Sequence, residues 1–305
     1  MQHVPVLFQE VIEVLNPVSG GVYVDGTIGA GGHSRGILER SAPDGLLIGF
    51  DRDPAALALA KSNLAEYSSR VTLIHSSYVD LVSHLNKQNK QSVDGILIDL
   101  GLSSMQLNSP ERGFSFRFEA PLDMRFDPGQ SFSASDLVNE YGREELANII
   151  FTYGEEKFSR RIADAIIANR PIATTKELAE LIKRVVPYTK SKIHPATRTF
   201  QALRIVVNDE LDALRSFLPA ALEILRPGGR LAVIAFHSLE DRIVKSYFRQ
   251  ESRDCICPPE LPICVCDHKA RIKEISRRPI RPEDPEIAEN PRARSAKLRA
   301  AEKIF

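Results

Sequence analysis

The stretch YVDGTIGAGGHS, from Tyr23 to Ser34, decides how the rest of the chain is interpreted. An apolar, strand-like run ends in Asp25, glycines follow at positions 26, 29, 31 and 32, and an amphipathic segment begins at Ser34. This order of strand, glycine-rich turn and helix is typical of nucleotide-binding α/β domains. We therefore expect a ligand at the carboxyl end of this strand.

Alternating strands and helices continue on the carboxyl side of this turn. Short apolar runs at residues 46–51, 71–75 and 95–100 predict three more strands, and Asp53 followed by Pro54 predicts the start of a helix. Short apolar strands that alternate with helices form parallel sheets covered on both faces. Residues 22–100 are therefore predicted to be the first part of such a sheet.

Helical spacing replaces this alternation between residues 106 and 192. Beyond it we predict a long helical stretch kinked near Pro219, a turn at RPGG (226–229) and a fifth strand at 230–236. The predicted fold class is α/β, a Rossmann-like parallel sheet with helices on both faces and an inserted all-helical domain. The predicted domains are residues 1–105, 106–192 and 193–305.

Composition narrows the class of protein and its partners. The chain has 305 residues, 43% hydrophobic and 26% charged, with a formal net charge of zero. No apolar run approaches the roughly 20 residues that span a bilayer, and the start lacks a leader pattern, so we expect a cytoplasmic protein with no membrane partner. Because the net charge is zero, any contact with nucleic-acid phosphates must come from local basic patches. The basic residues within 277–303 fit either RNA contact or a solvated, flexible tail.

The glycine-rich turn is compatible with two classes of cofactor. A dinucleotide fingerprint requires a third glycine where Ser34 stands, and a carboxylate at Asp25 would repel a pyrophosphate placed on the following helix N-terminus. S-adenosylmethionine carries an ammonium and a sulfonium and has no phosphate. The turn therefore favours S-adenosylmethionine.

Three further residues lie at the ends of predicted strands. Asp51 ends the second strand, where a carboxylate can accept both ribose hydroxyls, while Asp53 is the better helix cap. Tyr78 follows the third strand and lies near the expected adenine, or else packs in the core. Asp99 ends the fourth strand, and we interpret it as functional.

Motifs along nearly the whole chain resemble those of the bacterial RsmH (MraW) family. They are, in order, DGTIGAGGHS, FDRDP, DLGLSS, RGFSF, PLDMR, HPATRTFQALRI, FHSLEDRIVK and NPRARS. The resemblance implies a class I methyltransferase fold. It also implies S-adenosylmethionine-dependent methylation of the exocyclic amine of a cytidine in 16S ribosomal RNA, within the small ribosomal subunit.

The resemblance also implies roles for individual residues and for the insertion. The helical insertion would recognise the RNA substrate, and Tyr78 stands where the family often has phenylalanine. The residues implied in cofactor binding are Gly31, Gly32, His33, Asp51, Tyr78, Asp99 and Gln106.

Methylation of a cytosine amine requires a hydrogen-bond acceptor, because this nitrogen is weakly basic. The loop after the fourth strand reads DLGLSS and lacks the Pro-Pro-aromatic sequence of many amino-methyltransferases. The acceptor could be Asp99, a serine or a backbone carbonyl. We choose Asp99, and His237 is a rival base or simply a capping residue.

A target base in RNA is expected to be splayed out and stacked on an aromatic ring. Phe114 or Phe116 of RGFSF could supply that ring or could pack in the core. Arg112, Arg198 and Arg204 are candidates for phosphate contacts. Arg198 and Arg204 point to different sides of one helix, so they are not expected to share one phosphate.

Four cysteines form the symmetrical pattern Cys255-x-Cys257 and Cys264-x-Cys266. In a cytoplasmic protein, metal ligation or free thiols are expected rather than disulfides. Structural zinc sites prefer two to four residues within each pair, so we predict free thiols and no metal, with zinc as the alternative. A homodimer is compatible with the sequence.

Three other functions are compatible with parts of the pattern. A DNA amino-methyltransferase is disfavoured by the missing Pro-Pro-aromatic loop. A nicotinamide-dependent oxidoreductase is disfavoured by Asp25. A ribosome-binding factor without catalytic activity would lack affinity for the cofactor.

Overall fold

The computed structural model describes residues 5–187, 193–258, 260–261 and 263–305. Its helices are α1 (Phe8–Leu15), α2 (Gly32–Arg40), α3 (Pro54–Asn63), α4 (Leu81–Lys87), α5 (Ser104–Asn108), α6 (Ala134–Glu140), α7 (Arg143–Gly154), α8 (Ser159–Ala168), α9 (Thr175–Val185), α10 (Thr197–Asn208), α11 (Glu210–Ile224), α12 (Ser238–Glu251) and α13 (Asp284–Glu289). Its strands are β1 (Val22–Asp25), β2 (Leu46–Asp51), β3 (Val71–His75), β4 (Val93–Asp99), β5 (Leu225–Ala235), β6 (Ile272–Glu274) and β7 (Lys297–Lys303). Within the described ranges, no helix is both long enough and apolar enough to cross a membrane.

The strands form one seven-stranded sheet in the order β3-β2-β1-β4-β5-β7-β6. The five strands β1 to β5 pair in parallel, and β7 pairs antiparallel with both β5 and β6. Helices cover the sheet because its strands are apolar on both faces. The predicted Rossmann-like class I methyltransferase sheet is confirmed, and its fifth parallel strand overlaps the predicted range.

Part of the basic tail is a sheet strand rather than a flexible segment. Arg299 in β7 is 5% exposed, and it and Lys297 donate hydrogen bonds of 2.7 and 2.9 Å to the Asp241 carboxylate. Burial raises the pKa of Asp241, but hydrogen bonds from these two cations outweigh it and hold the pKa below its usual range. These two cations are therefore committed to the fold and are unsuited to RNA contact.

Strand β5 begins earlier than predicted. Leu225 pairs with Val93 and Arg230 pairs with Gly95, so residues 226–229 form a bulge within the strand instead of the predicted turn before it. Gly228 adopts a φ of +78°, which favours glycine.

The helical stretch before β5 is interrupted at Asp209. This residue has a φ of +53° and separates α10 from α11, whereas Pro219 lies inside α11. The sequence pointed to Pro219 as the irregular position. A left-handed residue at a helix end is difficult to foresee when that residue is not glycine.

The chain divides into two compact units. The sheet unit comprises Met1–Gly101 and Leu211–Phe305, and the helical unit comprises Leu102–Glu210. The helical unit has its own apolar core, to which α6, α7, α8, α9 and α10 contribute. The predicted end of the insertion at residue 192 lies outside the described residues.

Helix α10 belongs to the helical unit, whereas the predicted boundaries place it in the segment 193–305 that returns to the sheet. A Cβ atom at Gly154 in α7 would lie 2.6 Å from the carbonyl oxygen of Arg198 in α10. This close approach of two helices requires glycine and holds α10 against α7. The division of the chain consequently falls after Glu210.

Candidate active site

Three aspartates end three adjacent strands in the sheet unit. Asp25 ends β1 and pairs in register with Gly49 of β2 and Leu97 of β4. Asp51 is the last residue of β2 and lies two positions after Gly49. Asp99 is the last residue of β4 and lies two positions after Leu97. The carboxyl ends of parallel strands form the ligand crevice of this fold. The structure therefore brings together the acids that the sequence singled out.

Asp25 is enclosed rather than open to a ligand. Its side chain accepts hydrogen bonds from the Ser34 hydroxyl at 2.7 Å and from the Thr27 backbone N–H at 3.2 Å, and it is 2% exposed. Burial raises the pKa of Asp25 to about 6, and the nearby Asp99 carboxylate also raises it. Its observed role is to tie the end of β1 to the first turn of α2.

The glycine loop leaves the N-terminus of α2 without a side-chain cap among the described residues. Gly31 is the N-cap with a φ of +82°, and the Gly29 N–H donates to Oδ2 of Asp51 at 2.9 Å. A Cβ atom at Gly32 would lie 2.4 Å from Cγ of Pro5. The first turn of a helix has backbone N–H groups without intrahelical partners, which suits a carboxylate ligand.

His33 is held by the N-terminal segment of the chain. Its ring is 6% exposed, lies 6.3 Å from the Phe8 ring at an interplanar angle of 20°, and places Nε2 2.9 Å from the Val6 carbonyl oxygen. A carbonyl oxygen only accepts, so Nε2 carries a hydrogen. Nδ1 then lies 3.9 Å from Oδ2 of Asp99. No motif in the sequence indicates these N-terminal contacts.

Asp99 is positioned by Thr27 of the glycine loop. Its backbone N–H donates to the Thr27 hydroxyl oxygen at 2.7 Å, and the Gly101 N–H lies 3.4 Å from Oδ1. The side chain of Asp99 is 26% exposed, so its carboxylate can accept a hydrogen bond from a ligand. Thr27 lies inside the motif that identified the loop, but its sequence position alone does not indicate this contact.

Asp51 is oriented by two backbone N–H groups. Those of Gly29 and Asp53 each donate to a different carboxylate oxygen at 2.9 Å. Burial raises the pKa of Asp51. A carboxylate has about four acceptor positions, so both oxygens retain capacity for hydroxyl groups. Asp53 caps α3 through a 3.0 Å bond from the Ala55 N–H, as predicted.

Tyr78 packs next to the glycine loop. Its ring meets the Phe217 ring edge-on, with centroids 5.0 Å apart. A Cβ atom at Gly26 would lie 2.9 Å from the Tyr78 Cβ atom. Tyr78 thus contacts the core, and it is only partly buried. Its contact with adenine stays a prediction.

Gln106 and His237 both cap helices. Gln106 and Ser103 form a reciprocal capping box at the start of α5, in the helical unit. Nδ1 of His237 accepts from the Glu240 N–H at 3.4 Å at the start of α12, in the sheet unit. These contacts show His237 in a capping role. This is one of the two roles predicted for it from the sequence, the other being that of a base.

Three residues predicted to bind RNA make internal contacts in the helical unit. The Arg112 guanidinium donates to the carbonyl oxygens of Arg125 and Phe126 at 2.9 Å. Phe114 is 8% exposed and stacks on Phe126 at 5.5 Å. Arg204 makes two 2.7 Å hydrogen bonds to the Glu210 carboxylate. These contacts indicate structural roles for Arg112, Phe114 and Arg204.

Arg198 differs from these three residues. Its side chain is 48% exposed, lies 3.8 Å from the Glu156 carboxylate and donates one 3.4 Å hydrogen bond to the Glu155 carbonyl oxygen. Arg198 and Arg204 therefore have different partners, as their spacing predicted. Arg198 is the predicted phosphate-binding arginine whose side chain is largely accessible.

Comparison with known proteins identifies the family. The profile of the MraW methylase family matches residues 1–304. The chain belongs to this family. The resemblance seen in the motifs is thereby confirmed, and the methyl donor of this methylase is S-adenosylmethionine.

Individual relatives match over almost the full chain. "Ribosomal RNA small subunit methyltransferase H" of Dehalococcoides mccartyi is 54% identical over 303 residues, covering 99% of this chain and 87% of its own. The protein of the same name from Syntrophotalea carbinolica is 53% identical over 308 residues, covering 99% and 98%. A solved rRNA methylase from Streptococcus thermophilus aligns with a TM-score of 0.44 at 11% identity, covering 98% of this chain and 94% of that chain.

Proposed function

We propose that the protein transfers a methyl group from S-adenosylmethionine to the exocyclic N4 amine of a cytidine in 16S ribosomal RNA. The observation that carries this proposal is the 53–54% identity to two proteins named ribosomal RNA small subunit methyltransferase H. The geometry at the ends of β1, β2 and β4 supports it, because an accessible carboxylate lies beside a glycine-lined helix N-terminus.

The cofactor is proposed to occupy the crevice at these strand ends. The backbone N–H groups of Gly31, Gly32 and His33, at the start of α2, suit the carboxylate of its methionine part. Asp51 suits the ribose hydroxyls because its two oxygens are already oriented by backbone N–H groups. Once bound, the cofactor supplies an electrophilic methyl group.

Asp99 is proposed to accept a hydrogen bond from the cytosine amine. The acceptor draws the nitrogen lone pair out of conjugation with the ring and takes the proton released during or after transfer. Nδ1 of His33 presents a lone pair toward the Asp99 carboxylate, since Nε2 bears the hydrogen. His33 would therefore be a positioning residue for Asp99.

The helical unit is proposed to recognise the RNA. Arg198 is its accessible candidate for a phosphate contact, and Phe118 is 46% exposed beside the RGFSF motif. In that motif, Phe116 lies against the rings of His194 and Phe200 at 4.7 and 4.9 Å. Association with the assembled small subunit, dimer formation and a cytoplasmic location stay predictions.

Nucleoside mass spectrometry tests this function. Small subunits from a strain that lacks the enzyme are incubated with the protein and tritiated S-adenosylmethionine. The expected result is a single N4-methylated cytidine in 16S ribosomal RNA. Label in duplex DNA would favour a DNA methyltransferase, and a methyl group on another base or atom would contradict the proposal.

A further inference from the structure

The loop between α12 and β6 contains all four cysteines of the chain. The two ends of this loop are held together. Nδ1 of His268 lies 2.8 Å from the Arg253 carbonyl oxygen, and the Arg271 N–H donates to the Glu251 carbonyl oxygen at 2.8 Å. The cysteines lie between these closing contacts in the sequence, in the sheet unit.

The four sulfur atoms converge on one point. All four Sγ atoms lie within 4.8 Å of one another. Sγ of Cys266 is 3.6 Å from that of Cys264 and 3.8 Å from that of Cys255. A disulfide requires about 2.05 Å, so these pairs are not bonded. Four ligands at a Zn–S distance of about 2.3 Å stand about 3.8 Å apart in a tetrahedron. The two separations of 3.6 and 3.8 Å match this value, and all the others are at most 4.8 Å.

Backbone N–H groups support the sulfurs in a reciprocal pattern. The Ile256 N–H, inside the first pair, lies 3.4 Å from Sγ of Cys266, and the Val265 N–H, inside the second pair, lies 3.4 Å from Sγ of Cys257. These donors stabilise thiolates, the form in which cysteine binds a metal.

The reciprocal pattern also bears on the spacing of the cysteines, which are separated by one residue within each pair. In common zinc motifs, two to four residues between the cysteines leave room for a turn within each pair. Here each pair also receives an N–H donor from inside the opposite pair, and with one intervening residue the four Sγ atoms still lie within 4.8 Å of one another. The sequence could not reveal this, because the two pairs meet only when the loop folds back on itself.

We propose that Cys255, Cys257, Cys264 and Cys266 bind one zinc ion as a tetrahedral tetrathiolate. An all-sulfur tetrahedral set selects zinc or iron over magnesium and calcium, which require oxygen ligands. The ion would close the loop between α12 and β6. This assignment replaces the expectation of free thiols and is independent of the methyl-transfer chemistry.

Metal analysis and thiol titration test the site on the full-length protein. Because every cysteine of the chain belongs to the cluster, a thiol reagent reports on the site alone. We expect one zinc ion per chain, four thiols that react only after a chelator is added, and visible d–d bands of a tetrahedral thiolate after exchange with Co²⁺. These readouts on the unmodified protein do not depend on the folding of any variant.

Two variants complete the test. Cys266→Ser should lose the zinc ion during dialysis against a chelator under conditions in which the wild type keeps it. Ile263→Ser should keep the ion and the thiol protection, since Ile263 lies in the same loop, is 74% exposed and provides no ligand atom. Thiols that react equally fast with and without added Zn²⁺ would overturn the proposal. So would two disulfides seen by mass spectrometry, or bound iron in place of zinc.

Discussion

Nδ1 of His33, in the first turn of α2, lies 3.9 Å from Oδ2 of Asp99 at the end of β4. The Val6 carbonyl oxygen holds the opposite nitrogen of the ring, so the nitrogen that faces Asp99 is fixed by a segment near the start of the chain. The side chain of Asp99 remains partly exposed, whereas that of His33 is buried. This arrangement agrees with the proposed roles, in which Asp99 meets the substrate and His33 positions it.

Asp99→Asn should lower kcat by about 10²- to 10⁴-fold, the usual contribution of a positioned general base. Cofactor affinity should change much less, because asparagine keeps the shape of the side chain and the backbone bond to Thr27. Single-turnover transfer to small subunits and calorimetric titration of the cofactor separate the two effects.

His237→Asn is the matched comparison for Asp99→Asn. Asparagine is a good N-cap, so the start of α12 should be preserved and methyl transfer should stay close to that of the wild type. If His237→Asn abolished transfer while Asp99→Asn did not, the acceptor would be His237.

Asp51→Asn should weaken cofactor binding about 10- to 100-fold. A hydrogen bond to a charged group contributes about 1.5–3 kcal/mol, and the amide nitrogen cannot accept a hydroxyl. Isothermal titration calorimetry with S-adenosylmethionine measures the change. Asp44→Asn removes another carboxylate of the sheet unit, one that accepts from Ser19 and Gly20, and should leave the affinity unaltered. Equal affinities for the Asp51→Asn variant and the wild type would exclude Asp51 as a ribose ligand.

Asp25 should make the free energy of unfolding depend on pH. Burial raises its pKa from 3.8 to about 6, so the folded state binds more protons than the unfolded state between these values. The free energy of unfolding therefore falls as pH rises through this window, by about 3 kcal/mol from this group.

Asp25→Asn removes that dependence. Relative to the wild type, the variant should gain stability as pH rises from 4 to 7 by about 2.5 kcal/mol, since titrating groups that do not interact with Asp25 cancel in the difference. Urea denaturation at several pH values measures it. A difference that stays constant with pH would mean that Asp25 titrates normally in the folded protein.

Arg198 and Arg204 should respond to mutation in opposite ways. Arg204→Ala should lower the free energy of unfolding by about 3–5 kcal/mol, because it leaves the Glu210 carboxylate, 8% exposed, without its ion-pair partner. Arg198→Ala should change it by less than about 1 kcal/mol, as for an exposed ion pair.

Binding to ribosomal RNA should show the reverse order for the two variants. If Arg198 contacts one phosphate, its alanine variant should lower the slope of log affinity against log salt by about one. Affinity measured across several salt concentrations tests this. An unaltered slope would remove Arg198 from the RNA-binding surface.

Several features could be predicted from the sequence because their signals are local. The five parallel strands are continuous apolar runs, and the cap of α3 is an Asp-Pro pair. Asp25, Asp51 and Asp99 could be placed at one edge because parallel strands end on the same side. Periodicity and cap chemistry depend on neighbours in sequence, so the strands and this helix start could be anticipated without coordinates.

Other features depend on contacts between distant segments. The boundary at Glu210 follows from the approach of α10 to Gly154. The ion pair with Asp241 is what commits Arg299 of the basic tail to the sheet. A sequence shows which residues carry charge or sulfur but not which partner each one meets.

By itself, the sequence determined the family, the glycine loop and the acids at the strand ends. Only the tertiary structure decided that Asp25 is enclosed, that Arg204 and Arg299 are ion-paired, and that four cysteines meet at one point. The physical reason is that exposure and partnership, which separate a binding residue from a structural one, arise when segments far apart in sequence pack together.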